Sequence, residues 1–340
     1  MSYPIASRIV VTLLFVLVLT ALPQDQKPPT PVKQETSEDE IVRVETTLVT
    51  VPVVVRSKNG GYIPNLRAGD FRLFENGIEQ EVSRFETTDK PFTVALVLDV
   101  SDSTKIDLSK IQNAAISFLE QLRPADRAFI VTFDKQVVKL AEATQDRIVL
   151  AKTIRSVRAG GGTALYDAVA SVISTHNRSI GGRKAIVILT DGIDTSSTFA
   201  TFESTTRLAA EQYSSIYPIQ FNPDNLLGQR AASMDTNLGL TLVTTPSGES
   251  IGSAFQRGTR YLRLLAQSSG GRFYHADNIK NLERTFSQIA DELRQQYTVG
   301  YYPKDQDSTK EKRRIKVQVN APEAEIKTRE NYIFRPDQQR

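Results

Sequence analysis

The chain has 340 residues, 40% of them hydrophobic and 24% charged, which excludes disordered, collagen-like and coiled-coil architectures and leaves room for two or three domains. With 42 Lys and Arg against 39 Asp and Glu, the net charge is only +3, without the basic excess of a dedicated nucleic-acid binder. There is no Cys and there are two His, so disulfides, thiolate metal sites and cysteine nucleophiles are closed off, and any site must rely mainly on oxygen from Asp, Glu, Ser, Thr and the backbone.

In chain order, Arg8 precedes the apolar run Ile9 to Leu22. That run is shorter than the ~20 residues of a spanning helix and has the shape of a signal peptide. Residues 1–22 are therefore expected to direct export. Leu19-Thr20-Ala21 is a poor cleavage site, and an uncleaved anchor that tilts or thins the bilayer is the alternative. Without Cys, lipoprotein processing is excluded. Residues 23–40, rich in Pro, Gln, Thr and acids, read as a flexible linker. The working part is expected outside the cytoplasmic membrane, whether periplasmic, cell-surface or secreted, and touches a membrane only through an uncleaved N-terminal segment.

Residues 41–90 read as strands. Val42 to Val55 is dense in β-branched residues, with Pro52 pointing to an edge strand or a bulge. Gly60-Gly61 marks a turn, and Phe71–Glu75 and Ile78–Phe85 flank the hairpin pair Asn76-Gly77.

Over residues 91–296 the pattern changes to α/β. Thr93–Leu98, Arg127–Phe133, Ala185–Leu189 and Ser215–Phe221 are continuous apolar strands, expected to be buried on both faces. Helical spacing links Ile111, Ala115, Phe118 and Leu122, then Leu165, Val169, Val172 and Ile173, then Leu282, Phe286, Ile289 and Leu293. The expected fold class is α/β, a doubly wound, mostly parallel, Rossmann-like sheet with helices on both faces. Asn222 to Arg257 reads as a long loop leaving the carboxyl end of the fourth strand, placed to contact a ligand or cover a site. Over residues 297–335 strands return at Tyr297–Tyr302, Arg314–Val319 and Glu325–Arg329. Neither flank buries a core alone. The economical solution is one β-sandwich built from 41–90 and 297–335, with the α/β domain inserted; two separate β appendages are the alternative.

The chemistry concentrates where strands end. Asp99-Val100-Ser101-Asp102-Ser103 closes the first buried strand, Gly160-Gly161-Gly162-Thr163 precedes a helix, and Thr190-Asp191-Gly192 follows the third buried strand. Carboxyl ends of parallel strands are where α/β folds place their sites. An acid and two hydroxyls at alternate positions of one loop suit a hard divalent cation.

In that order, and on those elements, Asp99, Ser101, Ser103, Thr163 and Asp191 resemble the metal-ion-dependent adhesion site (MIDAS) of von Willebrand factor type A domains. The resemblance covers about Pro91 to Tyr297. The whole mature chain resembles the VWFA-related proteins common in acidobacteria, through Leu66–Phe71 before that domain and Tyr297–Pro303 after it. The resemblance implies that Ser101, Ser103 and Thr163 ligate a metal directly, and that Asp99 and Asp191 act mainly through water. It further implies Mg²⁺, with Mn²⁺ or Ca²⁺ as alternatives, and a protein partner whose Asp or Glu completes the shell. The family usually has Gly where this chain has Asp102, a position that Asp suits if a positive φ is required; the extra carboxylate puts the metal's identity in doubt.

Taken singly, these residues have ordinary structural readings: Ser101 and Ser103 as helix caps, Asp191 as a turn residue, Asp167 as a partner of a helix dipole, Asp194 as a loop residue. His176 and His275 have no partner pattern. Tyr301-Tyr302-Pro303 suits sandwich core and strand end, and Lys310–Lys316 a solvated hairpin tip. No nucleophile elbow, Walker loop or dinucleotide fingerprint is present, so a binding function is expected and catalysis is not. A magnesium-dependent hydrolase and a metal-free scaffold of the cell envelope are the alternatives.

Overall fold

The computed structural model describes residues 48–105, 107–179, 182–221, 244–276, 281–305, 307 and 311–334. The expected signal, linker and first residues of the Val42 run lie outside the described residues, as does the loop over 222–243. The first flank supplies β1 (Val49–Ser57), β2 (Phe71–Glu75), β3 (Ile78–Gln80) and β4 (Arg84–Glu86). The central part begins with β5 (Phe92–Asp99), which is buried at every position. It continues through α1 (Leu108–Glu120), β6 (Arg127–Phe133), β7 (Val137–Thr144), α2 (Arg147–Ser156), α3 (Leu165–Ser179) and β8 (Arg183–Thr190). It closes with α4 (Phe202–Glu211), β9 (Ser215–Phe221), α5 (Ile251–Ser269), β10 (Tyr274–Ala276) and α6 (Leu282–Arg294). The second flank supplies β11 (Gln296–Tyr301), β12 (Lys312–Val319), β13 (Ala324–Thr328) and β14 (Asn331–Ile333).

The central sheet has the order β10-β9-β8-β5-β6-β7, parallel except for β7, which runs antiparallel to β6 through a bulged register. Successive side chains of a strand point to opposite faces, and β5 serves two cores accordingly. Val94, Leu96 and Leu98 join α1, α2 and α6 on one side; Ala95 and Val97 join α3, α4 and α5 on the other. The protein is thus a doubly wound α/β sheet set between β-rich flanks.

Helix α5 corrects one expectation. Its first turn lies within the stretch read as a loop to Arg257. Ser250 caps it by accepting from the Ser253 amide at 3.1 Å, and Ala254, Gly258, Tyr261, Leu262 and Leu265 form its buried stripe. Gly and Ser near the start hide this helix from propensity, and burial overrides them.

Each flanking sheet draws strands from both ends of the chain, in the orders β13-β1-β11-β4 and β14-β12-β2-β3. Val51, Val53, Leu73, Tyr297, Tyr301 and Val317 share the one core between them. The run Ile78–Phe85 is not a single strand. β3 stays with its hairpin partner β2, while β4 pairs with β11 in the other sheet, so the chain crosses between sheets at Val82. Pro52 lies in an interior strand. It pairs with Thr298 on the β11 side, while pairing with β13 starts only at Val53. The missing N–H therefore falls where β1 has one neighbour. The Lys310–Lys316 segment is not a hairpin tip from Lys312 onward, because β12 is an interior strand between β14 and β2.

Inside the sandwich, Glu75 accepts from the Tyr301 and Tyr332 hydroxyls, both at 2.6 Å. It also pairs at 2.7 Å with Arg313, whose side chain is fully buried. Where helix and sandwich meet, the buried carboxylate of Glu292 on α6 gathers Arg56 at 3.5 Å, Arg272 at 3.2 Å and Lys327. Burial draws the Lys327 ammonium down to about 8, against the pull of Glu292. Glu75→Ala takes its carboxylate away from a buried guanidinium and two tyrosine hydroxyls, and is expected to cost about 3–5 kcal/mol in urea unfolding. The double variant Glu75→Ala/Arg313→Met is expected to recover part of that loss.

Candidate metal centre

β5 and β8 are parallel neighbours, with Leu98 opposite Leu189. This register brings Asp99 level with Thr190 at the carboxyl edge of the sheet. The Thr190 hydroxyl donates to Asp99 Oδ2 at 2.7 Å. Asp99 Oδ1 accepts from the Ser101 amide at 3.0 Å and the Ser101 hydroxyl at 2.6 Å. The hydroxyls of Ser101 and Ser103 lie 3.0 Å apart, and Ser103 is near enough to Asp191 to favour its charged form. Three of the five expected residues, Asp99, Ser101 and Ser103, therefore form one connected line of oxygens, with Thr190 as a member not anticipated and Asp191 near its far end.

Thr163 reaches the same place through its loop. The Gly160 amide donates to the Val100 carbonyl at 2.7 Å, and the Asp102 amide to the Gly161 carbonyl at 3.0 Å. A Cβ on Gly160 would sit 1.7 Å from Asp134 Oδ2, so only glycine lets the loop pass this close. Thr163 itself is buried. Its amide donates to the Thr195 hydroxyl at 2.8 Å, and its carbonyl accepts from the Thr195 and Ser196 amides. Among the described residues, no hydrogen bond joins the Thr163 hydroxyl to the other four.

The ordinary readings divide. Ser101 precedes a short 3₁₀ turn but makes no side-chain cap bond; its hydroxyl goes to Asp99 instead. Asp191 does hold its own turn, its Oδ1 accepting from the Ile193 amide at 2.9 Å while Gly192 takes φ +85°. Asp102 corrects an expectation: it is exposed in the 3₁₀ turn and is not among the positive-φ residues, so its backbone does not need glycine's freedom.

Two further carboxylates shape the rim, and the sequence did not mark their role. Asp194 accepts from the Tyr166 amide and the Ser197 hydroxyl. Asp167, buried in the first turn of α3, accepts from the amides of Thr198 at 2.9 Å, Phe199 at 3.2 Å and Ala200 at 2.8 Å. This clamp holds Phe199 outward with 71% of its surface exposed. His275 lies on β10, in ring contact with Phe255, rather than in the centre.

Burial, with repulsion from Asp191 next, pushes the Asp99 carboxyl up to about 7, and burial raises Asp191 as well. Neither forms an ion pair among the described residues. Among the described residues no three carboxylate or imidazole groups converge there as a metal cage; hydroxyls, carbonyls and water are the other oxygen donors at hand. Two buried carboxylates and neighbouring hydroxyls, all oxygen and without a basic partner, fit a hard divalent cation such as Mg²⁺. The same burial fixes a sign. An acid whose folded pKa is raised binds protons more tightly in the fold, so the metal-free chain loses this contribution to stability as pH rises from about 4 through about 7. Asp191→Asn is expected to melt higher than the parent in EDTA, by about 2–4 °C per kcal/mol relieved, with the gap widening from pH 5 to pH 8. Asp167→Ala is expected to cost about 2–4 kcal/mol by stranding three amides, measured by urea unfolding.

Residues 94–193 match the family model of the von Willebrand factor type A domain, a stretch that contains all five expected site residues. No curated protein matches the chain. Among solved structures, the chain is similar to the conserved hypothetical protein BatB from Bacteroides thetaiotaomicron at 16% identity, covering 59% of this chain and 99% of that one, with a TM-score of 0.40. It is similar to a von Willebrand factor type A protein from Catenulispora acidiphila at 12% identity, covering 79% and 74%, with a TM-score of 0.47. It is also similar to proximal thread matrix protein 1 from the mussel byssus, with a zinc-occupied MIDAS motif, at 14% identity, covering 64% and 49%, with a TM-score of 0.46.

Proposed function

Since the chain carries a von Willebrand factor type A domain, we propose that it is an exported binding protein that holds a divalent cation at Asp99, Ser101, Ser103, Thr163 and Asp191 and grips an acidic group of a protein partner there. The observation that carries this reading is the connected line Thr190–Asp99–Ser101–Ser103 with Asp191 beside it, two buried carboxylates that form no ion pair among the described residues. Ser101 and Ser103 offer neutral hydroxyls, with Thr163 on the adjoining loop. Asp99 is held by Thr190 and by Ser101, so its carboxylate is oriented before any ligand arrives. Asp191 is fixed by its own turn. A bound cation would supply a Lewis-acidic position at which a partner's carboxylate oxygen replaces water.

Binding rather than catalysis is the role proposed. Phe199, held outward on the segment that follows Asp191 in the chain, offers an exposed aromatic contact; aromatic side chains are common anchors of protein interfaces. Export rests on the run from Ile9 to Leu22 behind Arg8. No helix among the described residues is long and apolar enough to cross a membrane.

Calorimetric titration with Mg²⁺, Mn²⁺ and Ca²⁺ is expected to give binding at one site. Ser101→Ala/Ser103→Ala should remove it, at a cost of about 1–3 kcal/mol in EDTA for the hydroxyl bond lost to Asp99, with a melting curve showing that the variant still folds. Absence of binding, or binding indifferent to that variant, would make the chain a scaffold. Pull-downs from an extracytoplasmic fraction should lose partners on chelation, and Phe199→Ala should weaken capture without changing metal affinity. Turnover on a phosphoester panel, abolished by Asp99→Ala, would replace this reading with metal-assisted hydrolysis.

A further inference from the structure

The outward face of the sheet β14-β12-β2-β3 carries a second chemistry. Along β12 the residues alternate between core and solvent. Arg313, Ile315 and Val317 point inward and are buried, while Lys312, Arg314 and Lys316 are exposed. Alternate positions on a strand stand ~6.8 Å apart, so the three cations form a row ~14 Å long. The register places Asn331 beside Arg314 and Phe74 beside Lys316. Asn76, at the tip of the β2–β3 hairpin, accepts from the Arg314 amide through its Oδ1 at 2.9 Å. Together these residues line a groove of about 830 Å³ that also includes Gln318 and has no carboxylate among its lining residues.

Among the described residues the row has no counter-charge. None of Lys312, Arg314 and Lys316 forms an ion pair among the described residues. The nearby carboxylate of Glu79 is engaged at both oxygens by Arg72, at 2.8 Å each. Like charges held side by side cost energy unless a counter-charge arrives. In a chain with a net charge of only +3, this is a local device rather than the overflow of a basic protein.

The lining selects among polyanions. The groove is concave, whereas a bilayer presents a plane. Its single aromatic ring, Phe74, has the Arg72 guanidinium 5.2 Å from its centroid, so it offers a poor stacking platform for bases. β12 pairs with β14 over Lys312–Arg314 and with β2 over Ile315–Val319, and the row of cations stands on the face of the sheet rather than along the backbone edge that an extended peptide would join. What remains is a row of cations interleaved with the side-chain amides of Asn76, Gln318 and Asn331, able to pair with carboxylates and hydroxyls on one linear ligand. We propose that this groove binds an acidic polysaccharide, a linear uronate-bearing glycan, independently of the metal centre.

The test is affinity electrophoresis of the full chain in EDTA through gels containing polygalacturonate. Retardation is expected, weakening with salt. Arg314→Gln/Lys316→Gln, both at exposed positions, should lower apparent affinity about tenfold. Lys152→Gln/Arg155→Gln, which removes the same charge from exposed positions on α2, should change it less than about twofold, and matched melting curves should show that both variants fold. The proposal is overturned by no retardation, by equal loss in the two variants, or by retardation that appears only when divalent cation replaces EDTA. Tighter binding to single-stranded DNA, polyglutamate or phosphatidylglycerol vesicles than to polygalacturonate would also overturn it.

Discussion

Two acidic side chains, Asp99 and Asp191, stand buried at the ends of neighbouring parallel strands, and among the described residues no basic side chain is paired with either. Everything around them answers that constraint. Asp99 is held by Thr190 and Ser101, Ser103 lies against Ser101, and Gly160 lets a third loop close over the first. A buried carboxylate without a counter-ion is costly unless it is hydrogen-bonded, protonated or joined to a metal. The hydrogen bonds supply part of the answer, and the raised carboxyls of Asp99 and Asp191 show that they do not supply all of it. The strain belongs to the site rather than to the fold, because β5, β6, β8 and β9 are otherwise mostly buried apolar side chains.

Inserting an α/β body into a β-sandwich sets a second demand. The sandwich closes only when β11 to β14 return to β1 and β2, so its core forms from residues more than two hundred positions apart, as in the pairing of Val51 with Val299. The joints between the two parts are polar. Glu292 gathers three basic side chains, and Arg329, fully buried, reaches back to the Gln212 carbonyl at 2.7 Å. Such charged joints specify one docking geometry, because a shifted interface strands a buried charge. Helix α5 is fixed as closely on the other side. A Cβ on Gly258 would stand 2.3 Å from the Gly192 carbonyl oxygen, so the helix backbone lies directly against the loop that carries Asp191.

Much of this was legible in the chain itself. The unbroken apolar strands announced a parallel sheet, and the motifs at Asp99, Thr163 and Asp191 fell at the expected element ends. Thr190 escaped notice because its role depends on lying beside Asp99, which is a matter of register rather than of neighbours in sequence. Asp167 was read as a helix-dipole partner, yet it clamps amides some thirty positions away. Helix α5 was missed at its start because Gly252 and Ser253 are weak helix formers and its buried stripe appears only against the sheet. The Ile78–Phe85 run looked like one strand because a sequence pattern does not say that two sheets compete for it.

Composition and local pattern determined the class of chemistry: with no Cys and two His, the centre had to be built mainly from oxygen, and the spacing of acid and hydroxyls named most of it. Tertiary structure decided what those oxygens touch, which carboxylates are buried, and that three cations of β12 face outward in a row while Arg313 between them turns inward to Glu75. The physical reason is range. Periodicity and turn chemistry act over a few residues and are written in the chain, whereas burial, register and charge compensation exist only once distant segments have met.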